Sequence, residues 1–504
     1  MNILEKIRNY AELFPGRIAV RSGEDSLTYE ELWSASDRIA SWLLANNPDP
    51  GEPIPVYGHK HPFMLAAFLG CVKAGCAYCP IDLSVPDGRV SAILHTLTSR
   101  LVLTTEELRA DASGKQVLDL TFLQEIPADP SAPLPSPDNW VKGESTYYII
   151  FTSGSTGTPK GVQISADCLN NYLDWSTGLS GCTDGEEAVY LNQAPFSFDL
   201  SVMDLYTCLA TGGTLFCLKK SVQGDYTALI QALGESHAKV WVSTPSFADM
   251  CLSEKKYTEE LLPELRTFLF CGEALGNRTV KKLQERFPLA KVYNTYGPTE
   301  STVAVTEVLV TPELNEAENP LPVGKAKPGT FLQIIDENGN VLPDNEKGEI
   351  IILGNTVSTG YYLSPALTEK AFFVTADGTR GYHTGDKGYL SDGMLYYCGR
   401  IDLQIKLHGY RIELEDIESN LRKLPQLEHA VVLPNERGGK VSSLTAYVVE
   451  KEKPEDEKAE TAALKAQLAE FLPDYMIPKK FVFLDQMPMT NNGKADRKRL
   501  GELK

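Results

Sequence analysis

The chain lacks an excess of positive charge: 48 Lys and Arg stand against 67 Asp and Glu, a formal net charge of −19. A summed field of that sign repels polynucleotides and anionic lipid surfaces, which argues against nucleic acid as substrate or partner. Any anionic ligand then needs a local cluster of donors, with a divalent cation to shield it. Long hydrophobic runs are missing as well. The longest, residues 63–72, stops at Lys73 and is too short to span a bilayer. At the start, Ile3, Leu4, Ile7 and Leu13 alternate at helical spacing with Glu5, Lys6, Arg8 and Glu12, an amphipathic helix rather than a signal peptide. A soluble cytoplasmic protein without stable membrane insertion is the expectation. No internal repeat is visible, and 42% hydrophobic with 23% charged residues is a globular composition. The 504 residues suit about two to four structural units.

The ten cysteines do not read as a disulfide framework. Most sit in apolar runs such as Leu215-Phe216-Cys217-Leu218, as buried thiols in a reducing compartment do. Cys71, Cys76 and Cys79 match the C-x4-C-x2-C spacing of plant-type iron–sulfur ligation. The next cysteine is Cys168, and the residues between read as a helix end, a turn and a strand, so small buried side chains are expected.

What is present begins with Thr152-Ser153-Gly154-Ser155-Thr156-Gly157-Thr158-Pro159-Lys160-Gly161, directly after an apolar strand-like run at 147–151. Glycines let backbone N–H groups approach an anion, hydroxyls donate further hydrogen bonds, and the lysine adds a point charge. The spacing is not that of Walker A, G-x-x-x-x-G-K-[ST], which disfavours an ordinary P-loop ATPase. By itself such a run also reads as a flexible connector.

From residue 66 to 353, strand-like runs (188–191, 240–243, 267–270, 291–294) alternate with helical patterns, as in parallel sheets covered by helices. Residues 129–139 read as a polar, Pro-rich surface connection. After Leu321 short antiparallel strands surround an Asn-Gly turn at 338–339, suggesting a barrel-like subdomain over about 321–399. Gly399-Arg400-Ile401-Asp402 separates a large domain, 1–399, from a lid, 400–504, with a helix at 414–424, a strand pair, an acidic linker at 450–460, a helix at 462–471 and a basic tail.

A second loop, Asn294-Thr295-Tyr296-Gly297-Pro298-Thr299-Glu300, ends in a carboxylate. An aromatic can stack on a base, a threonine can reach a phosphate, and a glutamate can hold Mg2+. Alone it is equally a Gly-Pro turn. Three more motifs follow: Tyr382-His383-Thr384-Gly385-Asp386, Gly399-Arg400-Ile401-Asp402-Leu403-Gln404-Ile405-Lys406, and Asn492-Gly493-Lys494-Ala495-Asp496-Arg497-Lys498. Together the five resemble the adenylate-forming superfamily of acyl-CoA synthetases, luciferases and amino-acid-activating domains of nonribosomal peptide synthetases, over essentially the whole chain. Within it, Asn192-Gln193-Ala194-Pro195-Phe196-Ser197-Phe198-Asp199, Ser243-Thr244-Pro245-Ser246-Phe247, Phe268-Leu269-Phe270-Cys271-Gly272-Glu273 and Lys406-Leu407-His408-Gly409-Tyr410-Arg411 are similar to the family of stand-alone ligases that load D-alanine onto a D-alanyl carrier protein for teichoic acid decoration.

The resemblance implies an α/β adenylate-forming fold: a large N-terminal domain of parallel-rich sheets with helices and a small β-barrel subdomain, and a small mobile α+β C-terminal domain. It implies ATP and Mg2+. Thr152, Ser153, Gly154, Ser155, Thr156, Gly157 and Lys160 would hold phosphates. Asn294, Thr295, Tyr296, Gly297, Pro298 and Thr299 would line the adenine and α-phosphate site, with Glu300 toward Mg2+. Asp386 and Arg400 would meet the ribose, flanked by Tyr397, Cys398 and Gly399; a surface salt bridge is the plain alternative for that pair. Lys494 would be catalytic, bridging substrate carboxylate and nucleotide, where otherwise it is a solvated lysine in a basic tail. Cys271 and Val303 would shape the side-chain and carboxylate end of the amino-acid pocket, and preference for the D enantiomer rests on the resemblance alone.

Asp199 bears on substrate class through its own chemistry. A carboxylate among Phe196, Phe198, Leu200 and Val202 is costly to bury unless it meets a cation, and an α-ammonium group is one. The alternative is an N-cap for a helix starting near Leu200. Departures from the superfamily pattern are His383 for Arg or Lys, leaving the charge near Asp386 pH-dependent, His408 for Arg, Glu415 for Gly, and Ala495 for Val. The expected partner is a phosphopantetheinylated carrier protein, since no carrier domain follows Lys498, met by Lys479, Lys480, Arg497, Lys498 and Arg499. The lid is expected to rotate about a hinge near Asp402. Competing readings are an activating enzyme for another small amino acid such as L-alanine, an acyl-CoA ligase, against which Asp199 argues, and a catalytically silent nucleotide-binding protein.

Overall fold

The computed structural model describes residues 2–47, 49–126, 132–154, 159–401, 404–407, 409–437, 440–452, 454, 456–489 and 495–503. Ser155, Thr156, Gly157, Asp402, His408 and Lys494, all singled out above, lie outside the described residues.

Two sheets build the large part of the molecule. The first orders six strands as Gln116–Leu118, Leu101–Thr104, Ile54–Tyr57, Tyr78–Ile81, Thr146–Thr152 and Lys160–Ser165, parallel except for the last pair. The second orders nine: Lys325–Ala326, Thr306–Leu309, Lys291–Tyr296, Thr267–Phe270, Ala238–Ser243, Val189–Asn192, Thr214–Cys217, Ile18–Ser22 and Asp25–Thr28. It is parallel from Lys291–Tyr296 to Ile18–Ser22 and antiparallel at both edges. One apolar cluster joins residues of both sheets with helices Pro62–Lys73, Ala166–Ser180 and Leu200–Thr211. Pro62–Lys73 and Leu200–Thr211 are buried on every side, as their near-continuous apolar sequences require. Lys73 survives burial because Ser36 and Asp37 take its ammonium at 2.7 and 2.8 Å. Cys71, Cys76 and Cys79 are buried free thiols whose ionisation burial pushes up.

The four strand runs expected between 188 and 294 fall on adjacent parallel strands of the nine-stranded sheet. Their carboxyl ends therefore lie side by side, where open α/β sheets bind ligands. Chain leaving those ends supplies Asp199, Thr244, Cys271 and the loop from Gly297 onward.

The barrel-like subdomain is an antiparallel sheet of Thr330–Ile335, Gly348–Gly354, Arg380–Ser391, Phe372–Val374 and Met394–Arg400. Its Asn-Gly turn works as the sequence dictates. Gly339 takes φ +83°, and the Asp336 carboxylate accepts the Asn338 and Asn340 N–H groups.

The small C-terminal part has its own core. Ile412, Ile417, Leu421, Val432, Ala446, Leu464 and Leu468 pack together with no residue before Ile405 in the cluster. It comprises the hairpin Gln404–Leu407 and Tyr410–Glu413, the sheet Leu427–Arg437, Lys440–Glu450 and Lys480–Phe483, and helices Leu414–Leu421 and Glu457–Leu468. The first helix ends three residues earlier than 424, because Pro425 keeps Leu424 out of helical conformation. The second begins five residues earlier than 462. Asp456 caps it by accepting the Lys458 and Ala459 N–H groups, and Glu457 and Glu460 suit its positive end. The last four residues of the supposed acidic linker, 457–460, are thus helix.

Candidate active site

The strand Thr146–Thr152 runs into the phosphate-type loop and returns as Lys160–Ser165, with Thr152 opposite Lys160 in the register. Gly161 is required there: a Cβ would lie 2.8 Å from Ile149 Cγ2. The Thr152 hydroxyl is buried without a partner among the described residues, and Gly154 is buried. Ser153 Oγ donates to the Arg411 carbonyl at 3.0 Å and accepts the Glu413 N–H at 3.2 Å. Lys160 Nζ lies 3.8 Å from Glu300 and 3.7 Å from Glu413. Burial, then Arg411, lowers its pKa.

The second loop divides into floor and wall. Asn294 Nδ2 donates to the Pro322 carbonyl and Thr295 Oγ1 to the Phe270 carbonyl, both at 2.8 Å, so these two brace the strand instead of lining the cavity. Tyr296 donates its hydroxyl to Asp386 at 2.6 Å. Gly297, Pro298 and Thr299 form the wall. No other residue fits at 297, where a Cβ would meet Ala304 Cα at 2.6 Å. Beyond the short turn Thr299–Ser301, Thr302 and Val303 both take left-handed backbone, φ +60° and +70°. Such strain concentrates at functional sites. It places Val303 against Cys271, whose thiol reaches the Val303 carbonyl at 3.7 Å.

Asp199 precedes helix Leu200–Thr211 but does not cap it: its side chain makes no capping bond. It accepts the Thr299 hydroxyl at 2.7 Å instead. Burial raises its pKa to about 6, against the Thr299 bond and Lys406. The helix-cap alternative fails on this geometry.

Asp386, buried, and Arg400, partly buried, are cross-strand partners joined at 2.8 Å, with Arg400 also donating to the Thr384 carbonyl. The pair is no surface salt bridge. His383 corrects an expectation: it alternates with Asp386 along the strand and faces outward, 3.3 Å from Glu349, whose hydrogen bond raises its pKa. Its charge therefore answers to Glu349.

Eight expected residues, Asp199, Cys271, Gly297, Pro298, Thr299, Val303, Asp386 and Arg400, line one cavity. Phe198, Leu200 and Gly272 line it too, the docked hairpin adds Gln404, Lys406, Gly409 and Arg411, and only ≈ 40 Å³ remains open. Tyr397 and Gly399 line an adjoining cavity of ≈ 330 Å³ with Glu273, Lys406 and Lys440, while Cys398 is exposed. A larger cavity of ≈ 620 Å³ by Trp33, Trp42 and Phe122 holds none of the motif residues.

Docking is specific. Gly409, at φ +84°, donates its N–H to Glu273 at 2.7 Å, and a Cβ there would lie 2.2 Å from Thr244 Cγ2. The Tyr410 ring, stacked on Tyr475 of its own domain at 3.7 Å, meets Phe198 of the large domain at 5.5 Å, and Arg89 meets buried Asp416 at 3.0 Å. Arg411 pairs with Glu300, whose other oxygen accepts the Tyr361 hydroxyl at 2.8 Å. Burial works to raise the Glu300 pKa, but Arg411 and then Lys160 hold it down to about 2. As docked, Glu300 does not fit a metal ion, because both oxygens already face cations or a phenol. No group of three or more His, Cys, Asp or Glu able to hold a metal occurs among the described residues.

Met489, Ala495 and Arg497 lie on the small domain's own surface. Met489 pairs with Ala495, which packs near Val431, Tyr447 and Leu500, and Arg497 grips Glu418 at 2.7 and 2.8 Å. None of these lines the cavity. Arg497 is thus engaged within the domain, while Lys479, Lys480, Lys498 and Arg499 are exposed. Sequence reasoning gave no role to Lys406, Arg411, Glu413 or Tyr361. The first two stand in a quoted motif, whereas nothing local marks Tyr361.

No helix among the described residues is long and apolar enough to cross a membrane. The chain matches the AMP-binding enzyme family over residues 7–362 and the AMP-binding enzyme C-terminal domain over 416–494. It is 50% identical to the D-alanine–D-alanyl carrier protein ligase of Bacillus velezensis, over 100% of this chain and 99% of that one. It is 48% identical to the ligase of the same name from Bacillus licheniformis, with 100% and 99% covered. An NRPS protein containing adenylation and PCP domains, bound to a vinylsulfonamide inhibitor, superimposes with TM-score 0.84 at 27% identity, covering 100% of this chain and 84% of that one. A Vibrio cholerae adenylation domain in complex with glycyl-adenosine-5'-phosphate shares the fold at TM-score 0.83 and 22% identity, covering 99% and 97%. The chain belongs to the AMP-binding enzyme family and, within it, to the D-alanine–D-alanyl carrier protein ligases.

Proposed function

We propose that this chain activates D-alanine with ATP to D-alanyl-AMP and pyrophosphate, then passes the acyl group to the phosphopantetheine thiol of a D-alanyl carrier protein, in supply of teichoic acid D-alanylation in the cytoplasm. The observation carrying the reading is Asp199: a buried carboxylate beside Thr299, in a wall closed by Cys271 and Val303, suits an α-ammonium group on a short side chain. Asp386 and Arg400 present an oriented pair for ribose hydroxyls, and the unpartnered Thr152 hydroxyl is free to donate to phosphate.

In the first step the substrate carboxylate attacks the α-phosphorus and pyrophosphate leaves. Two anions converge, so positive charge must be present in the transition state, and Lys494 supplies it when the lid is turned inward. Magnesium belongs to this reading as the counter-ion of ATP, in an arrangement where Glu300 is not already taken. In the second step the thiol sulfur attacks the acyl carbon and AMP leaves. The hairpin Tyr410–Glu413 seated in the cavity wall supports reading the described arrangement as that of the second step.

Gly409→Ala is expected to slow thioester formation at least about tenfold while leaving pyrophosphate exchange near normal, because the added methyl blocks hairpin seating but not adenylation. Separate exchange and transfer assays check it; equal loss in both would remove the division of labour. The reading as a whole is tested by incubating the protein with ATP, radiolabelled D-alanine and the carrier. Hydroxylamine-labile label should appear on the phosphopantetheinylated carrier and not on the apo carrier. Absence from both, or equal labelling, contradicts it.

A further inference from the structure

Behind the amino-acid pocket lies a buried carboxyl group that no step of the proposed reaction uses. Asp204 stands on helix Leu200–Thr211, whose start carries Asp199, and Asn192 ends the strand Val189–Asn192; both are 0% exposed. Asn192 Nδ2 donates to Asp204 Oδ1 at 2.8 Å and to the Ala194 carbonyl at 3.1 Å. The second bond settles which way the amide points, since a carbonyl accepts from the nitrogen and not from the oxygen. The two atoms left over, Asn192 Oδ1 and Asp204 Oδ2, are both buried without a partner. Two orphaned acceptors on groups already joined through their other atoms are satisfied together by one proton. It makes the pair an acid–amide ring, with an O–H···O bond beside the N–H···O bond. Lys60, buried and in left-handed backbone at φ +56°, spends its ammonium on the Asn192 and Gln193 carbonyls at 3.0 and 2.7 Å instead of on Asp204.

We infer that Asp204 is a neutral carboxylic acid donating its Oδ2–H to Asn192 Oδ1, and that the resulting ring is a positioning device for Asp199. The loop 193–198 leaves strand Val189–Asn192 and enters helix Leu200–Thr211. The ring ties those two ends to each other, and Lys60 ties the first of them to the chain that follows strand Ile54–Tyr57 of the other sheet. Asp199 is thereby held where Thr299 meets it. An ionised Asp204 would instead leave one charged oxygen bare in an apolar core. Burial drives its pKa well above the ordinary carboxylate range, against Asn192 and then Lys60. The other titratable groups facing it, Tyr172, Cys208 and Cys217, are themselves kept protonated by burial. The link to the amino acid rests on the proposed function; the protonation state does not.

Infrared difference spectroscopy of the full chain against Asp204→Asn at pH 7 tests the proton. The unaltered chain should show a protonated-carboxyl C=O stretch that the variant lacks; carboxylate bands in its place overturn the inference. Asp204→Asn should also melt no lower than the unaltered chain, because its amide donates one N–H to Asn192 Oδ1 and still accepts from Asn192 Nδ2. A marked drop would make Asp204 an ionised counter-charge to Lys60 and overturn the acid. Positioning is read from KM in amino-acid-dependent ATP–pyrophosphate exchange. Asp204→Leu, which keeps the volume but breaks the ring, should raise the KM for D-alanine at least about fivefold and that for ATP less than about twofold, with both near normal in Asp204→Asn. An equal rise in both, or no rise, removes the positioning role. If Asp204→Leu does not fold, Asn192→Ala breaks the same ring from the strand side and is read the same way. Exchange without the infrared band sinks this inference alone, and the band without exchange in the unaltered chain sinks the proposed function alone.

Discussion

Replacing Lys494 with alanine is expected to cut D-alanine-dependent ATP–pyrophosphate exchange by at least about 30-fold, roughly 2 kcal/mol of transition-state stabilisation. The affinity for ATP should change little, and transfer from preformed D-alanyl-AMP to the carrier should persist. The split follows from charge. A chain of net charge −19 must bring local cations to the point where carboxylate meets α-phosphate. Arg400 is held by Asp386 and Thr384, and Lys160 and Arg411 by Glu300; in the proposed mechanism Lys494 adds further positive charge when the lid turns inward. In the proposed second step Lys494 has no role, so transfer should survive its loss. Exchange close to normal in the variant would remove Lys494 from the chemistry. Equal loss of transfer would show instead that the substitution harms the domain as a whole.

The second large effect concerns Asp199. Asp199→Ala is expected to raise the KM for D-alanine roughly tenfold to a hundredfold, about 1.5–3 kcal/mol, with a much smaller change for ATP. Asp199→Asn should do nearly as much, since it keeps the size and the Thr299 contact but loses the charge. The same residue sets a pH dependence. With its pKa raised to about 6 in the empty site, it becomes neutral as pH falls through that value, and the ammonium loses its partner. The KM for D-alanine should therefore climb below pH 6 in the unaltered enzyme and stay flat in Asp199→Asn. Stability runs the other way. A carboxyl whose folded pKa lies above its unfolded value near 3.8 destabilises the fold at neutral pH, on the order of 2–3 kcal/mol, and this penalty disappears as pH falls below both values. Asp199→Asn should accordingly melt at a higher temperature than the unaltered enzyme at pH 7 while binding D-alanine worse. A variant that melts lower and binds normally would make Asp199 a structural residue.

Asp199 was legible in the sequence because a lone carboxylate in an apolar run violates a general rule of burial, and the structure chose between its two readings by showing that it caps nothing. The sheets were legible for a similar reason. Fully buried parallel strands and the helices between them carry near-continuous apolar runs, and strands at neighbouring positions deliver their loops to one edge. The fate of Glu300 was not legible. Its partners stand 111 residues later in Arg411 and 61 residues later in Tyr361, and no local pattern links positions so far apart. Nor could the motif Asn294 to Thr299 be divided from sequence into residues that brace and residues that face the cavity. That division depends on which side of the strand meets the Phe270 and Pro322 carbonyls. His383 failed for want of one parity: an odd number of residues from Asp386 puts it on the opposite face.

The most direct test of the account is ATP–pyrophosphate exchange across D-alanine, L-alanine, glycine and D-serine. Exchange should be greatest with D-alanine and should collapse with Asp199→Ala for every amino acid. Exchange that is greater with L-alanine, or that persists with propionate in place of an amino acid, would contradict it.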